Sequence, residues 1–220
     1  MSQQFLNLIR SGQTAEIASA VEAQPELARC RDAQGVSALM WSIYTQQPLI
    51  RDFLLTRIGP ADVHEAAALG DCGRMYALIS ADAMAARAVS ADGWPPLHLA
   101  SAFATPQAVE LLLEHGAHIH QVSHNALRNQ ALHACVALSQ SAAVLRLLLE
   151  AGAPVNSTQA GGYTPLHQAA SGGKGDFVTA LLEYGADLSL LCHQGKTASD
   201  YAREHGHAEI VELLHRTASA

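Results

Sequence analysis

Apolar residues along this chain come in paired bursts, each two to three helical turns long, separated by polar stretches that contain glycine. One pair reads Pro96-Leu97-His98-Leu99-Ala100, then Leu111-Leu112-Leu113-Glu114-His115-Gly116-Ala117. The pair returns at 132–134 with 147–153, and at 164–170 with Leu181-Leu182-Glu183-Tyr184-Gly185-Ala186. Leu97, Leu132, Leu166 and Ser199 hold one frame, at steps of 35, 34 and 33 residues. The pattern predicts two short helices per step. The first is kept thin by Ala169 and Ala170, and the second supplies core area through Leu181 and Leu182. Isolated helices below about 12 to 15 residues barely form in water, so these must stack on neighbours and share a continuous core.

Local signals fix where the helices start and stop. Thr164 can accept a hydrogen bond from an orphan amide at a helix start, and Pro165 suits a first turn where no donor is needed. The last step replaces Pro-Leu-His by Ala198-Ser199-Asp200 and ends in a polar tail, as a terminal unit should. Residues 5–9 and 17–21 make a short starter pair. A second period joins the front of the chain to its continuation: Gly12 and Gly70, Gly35 and Gly93, and Leu39 and Leu97 all stand 58 residues apart. The burst at 63–70 follows Leu39 by only 24 residues, too few for two helices and a full connection. A connection is therefore expected to be missing or trimmed there, and those at 23–32 and 81–92 to be long.

The period of about 33 residues and the Thr164-Pro165-Leu166-His167 element make the chain resemble the ankyrin repeat family. The resemblance implies an all-α solenoid of stacked helix-turn-helix units with short β-hairpin fingers, one domain over 1–220. Its N-terminal capping repeat would be 1–29, its repeats 30–61, 62–90, 91–123, 124–158 and 159–192, and its C-terminal cap 193–220. It implies that His64, His98, His133 and His167 tie each repeat to the next. It also implies a non-enzymatic scaffold that holds a partner protein in a concave groove lined by finger tips and first helices. The finger-tip positions are Val36, Trp94, Asn129, Tyr163 and Lys196, and the late first-helix pairs include Tyr44, Phe103 and Leu138. The candidate partner-binding set is therefore Tyr44, Trp94, Phe103, Asn129, Leu138, Tyr163 and Lys196. Trp41 and Leu99 read instead as packing against an adjacent repeat. The unit at 124–158 departs from the family by having Arg128, Asn129, Gln130 and Ala131 where the finger glycine and Thr-Pro belong.

Composition narrows the function classes. With 49% hydrophobic and 15% charged residues the chain is rich in core-forming side chains. No apolar run approaches the roughly 18 residues of a membrane span, and Met1-Ser2-Gln3-Gln4 lacks a basic leader, so a cytoplasmic monomer is expected. A net charge of −7 argues against nucleic acid as a partner. Cys30, Cys72, Cys135 and Cys192 have no metal-ligand spacing and read as reduced thiols. Gly172-Gly173-Lys174-Gly175 lacks the first glycine and the hydroxyl residue of a phosphate loop, and reads as an interhelical turn. No catalytic constellation and no cofactor is indicated. The rival reading is a metal- or small-molecule-binding protein using His115, His118, His120 and His124, although no cysteine or carboxylate completes a four-ligand set.

Overall fold

The computed structural model describes residues 2–139 and 141–218. Met1 of the leader reading and residues 219–220 of the polar tail lie outside them. Among the described residues fourteen α-helices run in chain order: α1 (Ser2–Arg10), α2 (Thr14–Ala23), α3 (Ala38–Tyr44), α4 (Pro48–Arg57), α5 (Val63–Leu69), α6 (Cys72–Ala81), α7 (Pro96–Phe103), α8 (Pro106–Glu114), α9 (Ala131–Leu138), α10 (Ala142–Glu150), α11 (Pro165–Ser171), α12 (Gly175–Glu183), α13 (Ala198–Glu204) and α14 (Ala208–Ala218). Each odd helix packs on its following even helix, and from α5 onward odd helices stack on odd and even on even. The result is a two-layered helical stack, the solenoid that the repeat pattern calls for.

Starts follow the capping chemistry. Thr164 Oγ1 accepts from the His167 amide, Thr197 Oγ1 from Asp200, and Asp62 from the amides of His64 and Glu65. Leu97, Leu132 and Leu166, the residues that set the frame, are 1% exposed and form the seam between layers together with Leu112, Leu148 and Leu181. Burying such a side chain contributes roughly 1.5 to 3 kcal/mol.

The expected β-hairpin fingers are corrected. Among the described residues there is one isolated bridge, Arg31 to Ser37, and no strand ladder. Each finger is instead a hydrogen-bonded turn. The amides of Asp32, Ser90, Gln159 and Cys192 donate to the carbonyls of Val36, Trp94, Tyr163 and Lys196 four residues on, at 2.9 to 3.0 Å. Fingers are then joined tip to tip by single backbone bonds, His124 N–H to Gly93 O, Ala160 N–H to Leu127 O and His193 N–H to Gly161 O. Such isolated bonds lock neighbouring units without building a sheet.

Between α4 and α5 there is no finger, only residues 58–62. The connections before α3 and α7 hold 3-10 turns at Pro25–Arg29 and Ala83–Arg87. Where the finger is missing, Glu65 is buried at 2% exposure, accepts from the Ala61 amide and faces Arg31 at 3.8 Å. Arg31 also pairs with Asp62 at 3.1 Å.

Candidate functional site

The histidines of the Pro-Leu-His position set the distance between units. Nε2 of His98, His133 and His167 lies 3.0 to 3.2 Å from the carbonyls of Asn129, Tyr163 and Lys196, the same turn-closing carbonyls of the next finger. Nδ1 of His133 and His167 accepts from the amides of Gln130 and Thr164, so both rings are neutral with the proton on Nε2. Burial pushes His98 and His133 down to about 4, and lowers His167 as well. His64 makes a longer contact, 3.3 Å to Ala88 O.

Holding the fingers at this distance leaves a trough between them and the odd-numbered helices. Its main recess, about 330 Å³, is lined from the fingers by Gln34, Val36, Asp92 and Trp94, and from α3, α7 and α9 by Trp41, Tyr44, His98, Leu99, Ala102, Phe103, Ala134 and Leu138. Tyr44 reaches from α3 past α5 to Phe103 on α7, with ring centroids 6.0 Å apart, because α5 presents the small run Ala66-Ala67-Ala68 between them. The Tyr44 hydroxyl donates to Asp92 Oδ2 at 2.8 Å, and burial followed by this carboxylate raises its pKa, so it stays a donor. Trp41 stands edge-on to Tyr44 and gives its indole N–H to Asp32 at 2.9 Å.

A second recess of about 330 Å³ lies further along, between Tyr163 and Gln159 of a finger and His167, Gln168, Ser171 and Tyr201 of α11 and α13. The Oε1 atoms of Gln159 and Gln168 are buried there without a partner. Tyr163 and Tyr201 share a hydroxyl contact of 3.1 Å, and Lys196 sits above the Tyr201 ring, paired with Glu204 at 2.8 Å. A third opening, about 660 Å³ at the base of α3 to α6, carries charges that answer each other, Arg51 and Asp52 at 2.8 Å.

Of the sequence candidates, Tyr44, Trp94, Phe103 and Leu138 thus meet in one recess, Tyr163 lines the next, and Lys196 lies beyond it. Asn129 is corrected. It occupies the same turn position as Trp94 and Tyr163 but is 3% exposed, because its finger closes with the Ser123 hydroxyl and amide bonded back onto it. Leu99 is buried and Trp41 packs half-buried against the core, both as expected, but Trp41 also forms part of the wall, which sequence reasoning missed. Asp92 was missed too, since a lone finger carboxylate carries no signal until Tyr44 is seen to reach it.

Lys174 takes no part in a phosphate loop. Its ammonium donates to the carbonyls of Val136 and Ser139 at 2.7 and 2.9 Å, closing the C-terminus of α9 from the neighbouring unit. Among the described residues no group of three or more His, Cys, Asp or Glu side chains is placed to hold a metal ion. His115 is turned back to the Leu111 carbonyl and against Tyr76, while His118, His120 and His124 are exposed. No helix among the described residues is long and apolar enough to cross a membrane.

Comparison with known proteins gives one family. A family model described as ankyrin repeats (3 copies) matches residues 63–159 and 132–219. The chain is 38% identical over 128 residues to the fowlpox virus ankyrin repeat protein FPV031, covering 56% of this chain and 37% of the relative. It is 38% identical over 120 residues to the ankyrin repeat protein nuc-2 of Neurospora crassa, covering 54% of this chain and 11% of that one. To the mouse protein phosphatase 1 regulatory subunit 12A it is 37% identical over 96 residues, 44% of this chain and 9% of that one. The chain therefore spans less than two fifths of the length of these relatives.

Proposed function

Because this chain belongs to the ankyrin repeat family, we propose that it is a binding scaffold that holds a partner protein in the trough between its fingers and its odd-numbered helices, without a cofactor and without turnover. The observation that carries this reading is the recess walled by Trp41, Tyr44, Trp94, Phe103 and Leu138, four large aromatic side chains left half-buried and a leucine left exposed in a chain with ample core. Rigid aromatic side chains around a pre-formed recess are the usual anchors of a protein interface. Tyr163 and Lys196 extend the same surface past the second recess, whereas Asn129 is withdrawn from the binding set. A relative named as a regulatory subunit is in keeping with a role beside, rather than as, a catalyst.

The test uses affinity capture from native lysate with the chain carrying Trp94→Gln, Phe103→Gln and Tyr163→Gln. The variant should lose the captured protein while keeping its helical circular dichroism, and Glu110→Lys on the exposed side of α8 should keep both. Retention of the partner by the triple variant would move the interface out of the trough.

A further inference from the structure

Within the main recess Asp92 is the only carboxylate or cation on the wall. Its oxygens accept from the Tyr44 hydroxyl at 2.8 Å and the Ser90 hydroxyl at 2.6 Å, which fix its orientation without neutralising it. Among the described residues it has no ion-pair partner. Arg31, which shares a smaller recess of about 260 Å³ with Asp92 and Tyr44, is already held by Asp62 and Glu65. A half-buried carboxylate among aromatic faces is a costly arrangement unless a cation completes it.

The preceding finger shows what completion looks like. Asp32 accepts from the indole of Trp41, as Asp92 accepts from the phenol of Tyr44, one turn further along the same helix α3. There the cation is supplied by the chain itself: the Arg10 guanidinium lies 3.7 Å over the Trp41 ring and 3.7 Å from Asp32 Oδ2. A planar guanidinium suits such a place, since it stacks on an aromatic face while its edge N–H groups meet a carboxylate.

We propose that the main recess takes an arginine side chain from the partner polypeptide, stacked among Tyr44, Trp94 and Phe103 with Asp92 as its counter-charge. The inference rests on the reading of the trough as a protein-binding surface and names what that surface selects. A net charge of −7 on the chain favours the approach of a basic segment.

Trp41 and Trp94 are the only tryptophans in the sequence and both line the recess, so their indole N–H signals report on it directly. The probe is the blocked pentapeptide acetyl-Ala-Leu-Arg-Leu-Ala-amide, titrated by NMR beside the same peptide with uncharged citrulline for arginine. The arginine peptide should shift the indole signals saturably, with the citrulline peptide about ten-fold weaker or more. Asp92→Asn, which keeps the shape and the Tyr44 contact, should shrink that preference to about two-fold or less with the indole shifts of the free protein kept. Equal binding of the two peptides, or a preference untouched in Asp92→Asn, would overturn the arginine assignment and leave the trough standing as an apolar binding surface. Indole signals unmoved by either peptide at millimolar concentration would overturn both.

Discussion

At the scale of single residues, the contrast between His98 and its counterparts shows how much one neighbour decides. His133 and His167 receive a hydrogen bond at Nδ1 from the amide three residues before, but for His98 that residue is Pro95, which has no N–H, and its Nδ1 is buried without a partner. Protonating any of these rings would place a charge in the core and, for His133, a second N–H against an amide. Their folded pKa values lie below the ordinary 6.5, at about 4 for His98 and His133. The stability they confer is therefore complete above pH 6.5 and is lost as the pH falls toward 4, with His98 and His133 each contributing up to about 3 kcal/mol. The urea midpoint should drop steadily from pH 7 to pH 4.5, and His133→Gln should flatten that slope. A midpoint that does not move over this interval would remove the argument. The histidine roles were legible in the sequence through the repeated Pro-Leu-His. The task of Lys174 was not, because the carbonyls it meets are 35 and 38 residues away.

At the scale of elements, the helices were readable because their apolar period, caps and stops are all local. The finger at 123–129 was the doubtful one, and it closes despite lacking glycine: Arg128 adopts φ +45° and donates its amide to Asn125 O, as Gly93 does to Ser90 O. A side chain in the left-handed region costs roughly 1 to 2 kcal/mol, part of which is returned by its smaller unfolded-state entropy. Arg128→Gly should therefore stabilise the chain by about 0.5 to 1 kcal/mol in denaturant titration. Gly93→Ala should do the reverse. At φ +88° a Cβ would stand 2.8 Å from the backbone of His124 and Asn125, where the two fingers bond, and a loss of about 2 to 3 kcal/mol is expected. Equal stability of Gly93→Ala and the parent chain would mean that the finger-to-finger bond is not a fixed feature. The trimmed connection before α5 was legible from the 24-residue spacing, whereas the burial of Asn129 was not, since its register matches that of half-buried Trp94.

At the scale of the whole molecule, the buried side chains fall into two clusters. One runs from Phe5 to Leu54 over α1 to α4, and the other from Val36 to Leu214, the two sharing α3 and touching at Trp41 and Leu69. The division coincides with the missing finger, where Arg31 and Glu65 replace the tip-to-tip bond found elsewhere. Stability in a stack is a sum of unit and interface terms, so the thinnest interface should yield first. Hydrogen exchange in moderate urea should show α1 to α4 opening as one unit before α7 to α12, and a single cooperative loss across all helices would contradict this. The 24-residue spacing marks where the split falls, but the division of the core itself arises from which faces meet in three dimensions. The same missing finger and the alanine-rich α5 let Tyr44 reach Phe103, so the interruption of the array also shapes the recess assigned to the partner. That assignment is tested most directly by photo-crosslinking in cells, with benzoylphenylalanine placed at Phe103 in the trough and, in a second variant, at exposed Gln107 on α8. The account predicts a discrete polypeptide adduct from position 103 and none from position 107. An adduct from position 107 with none from position 103 would contradict it.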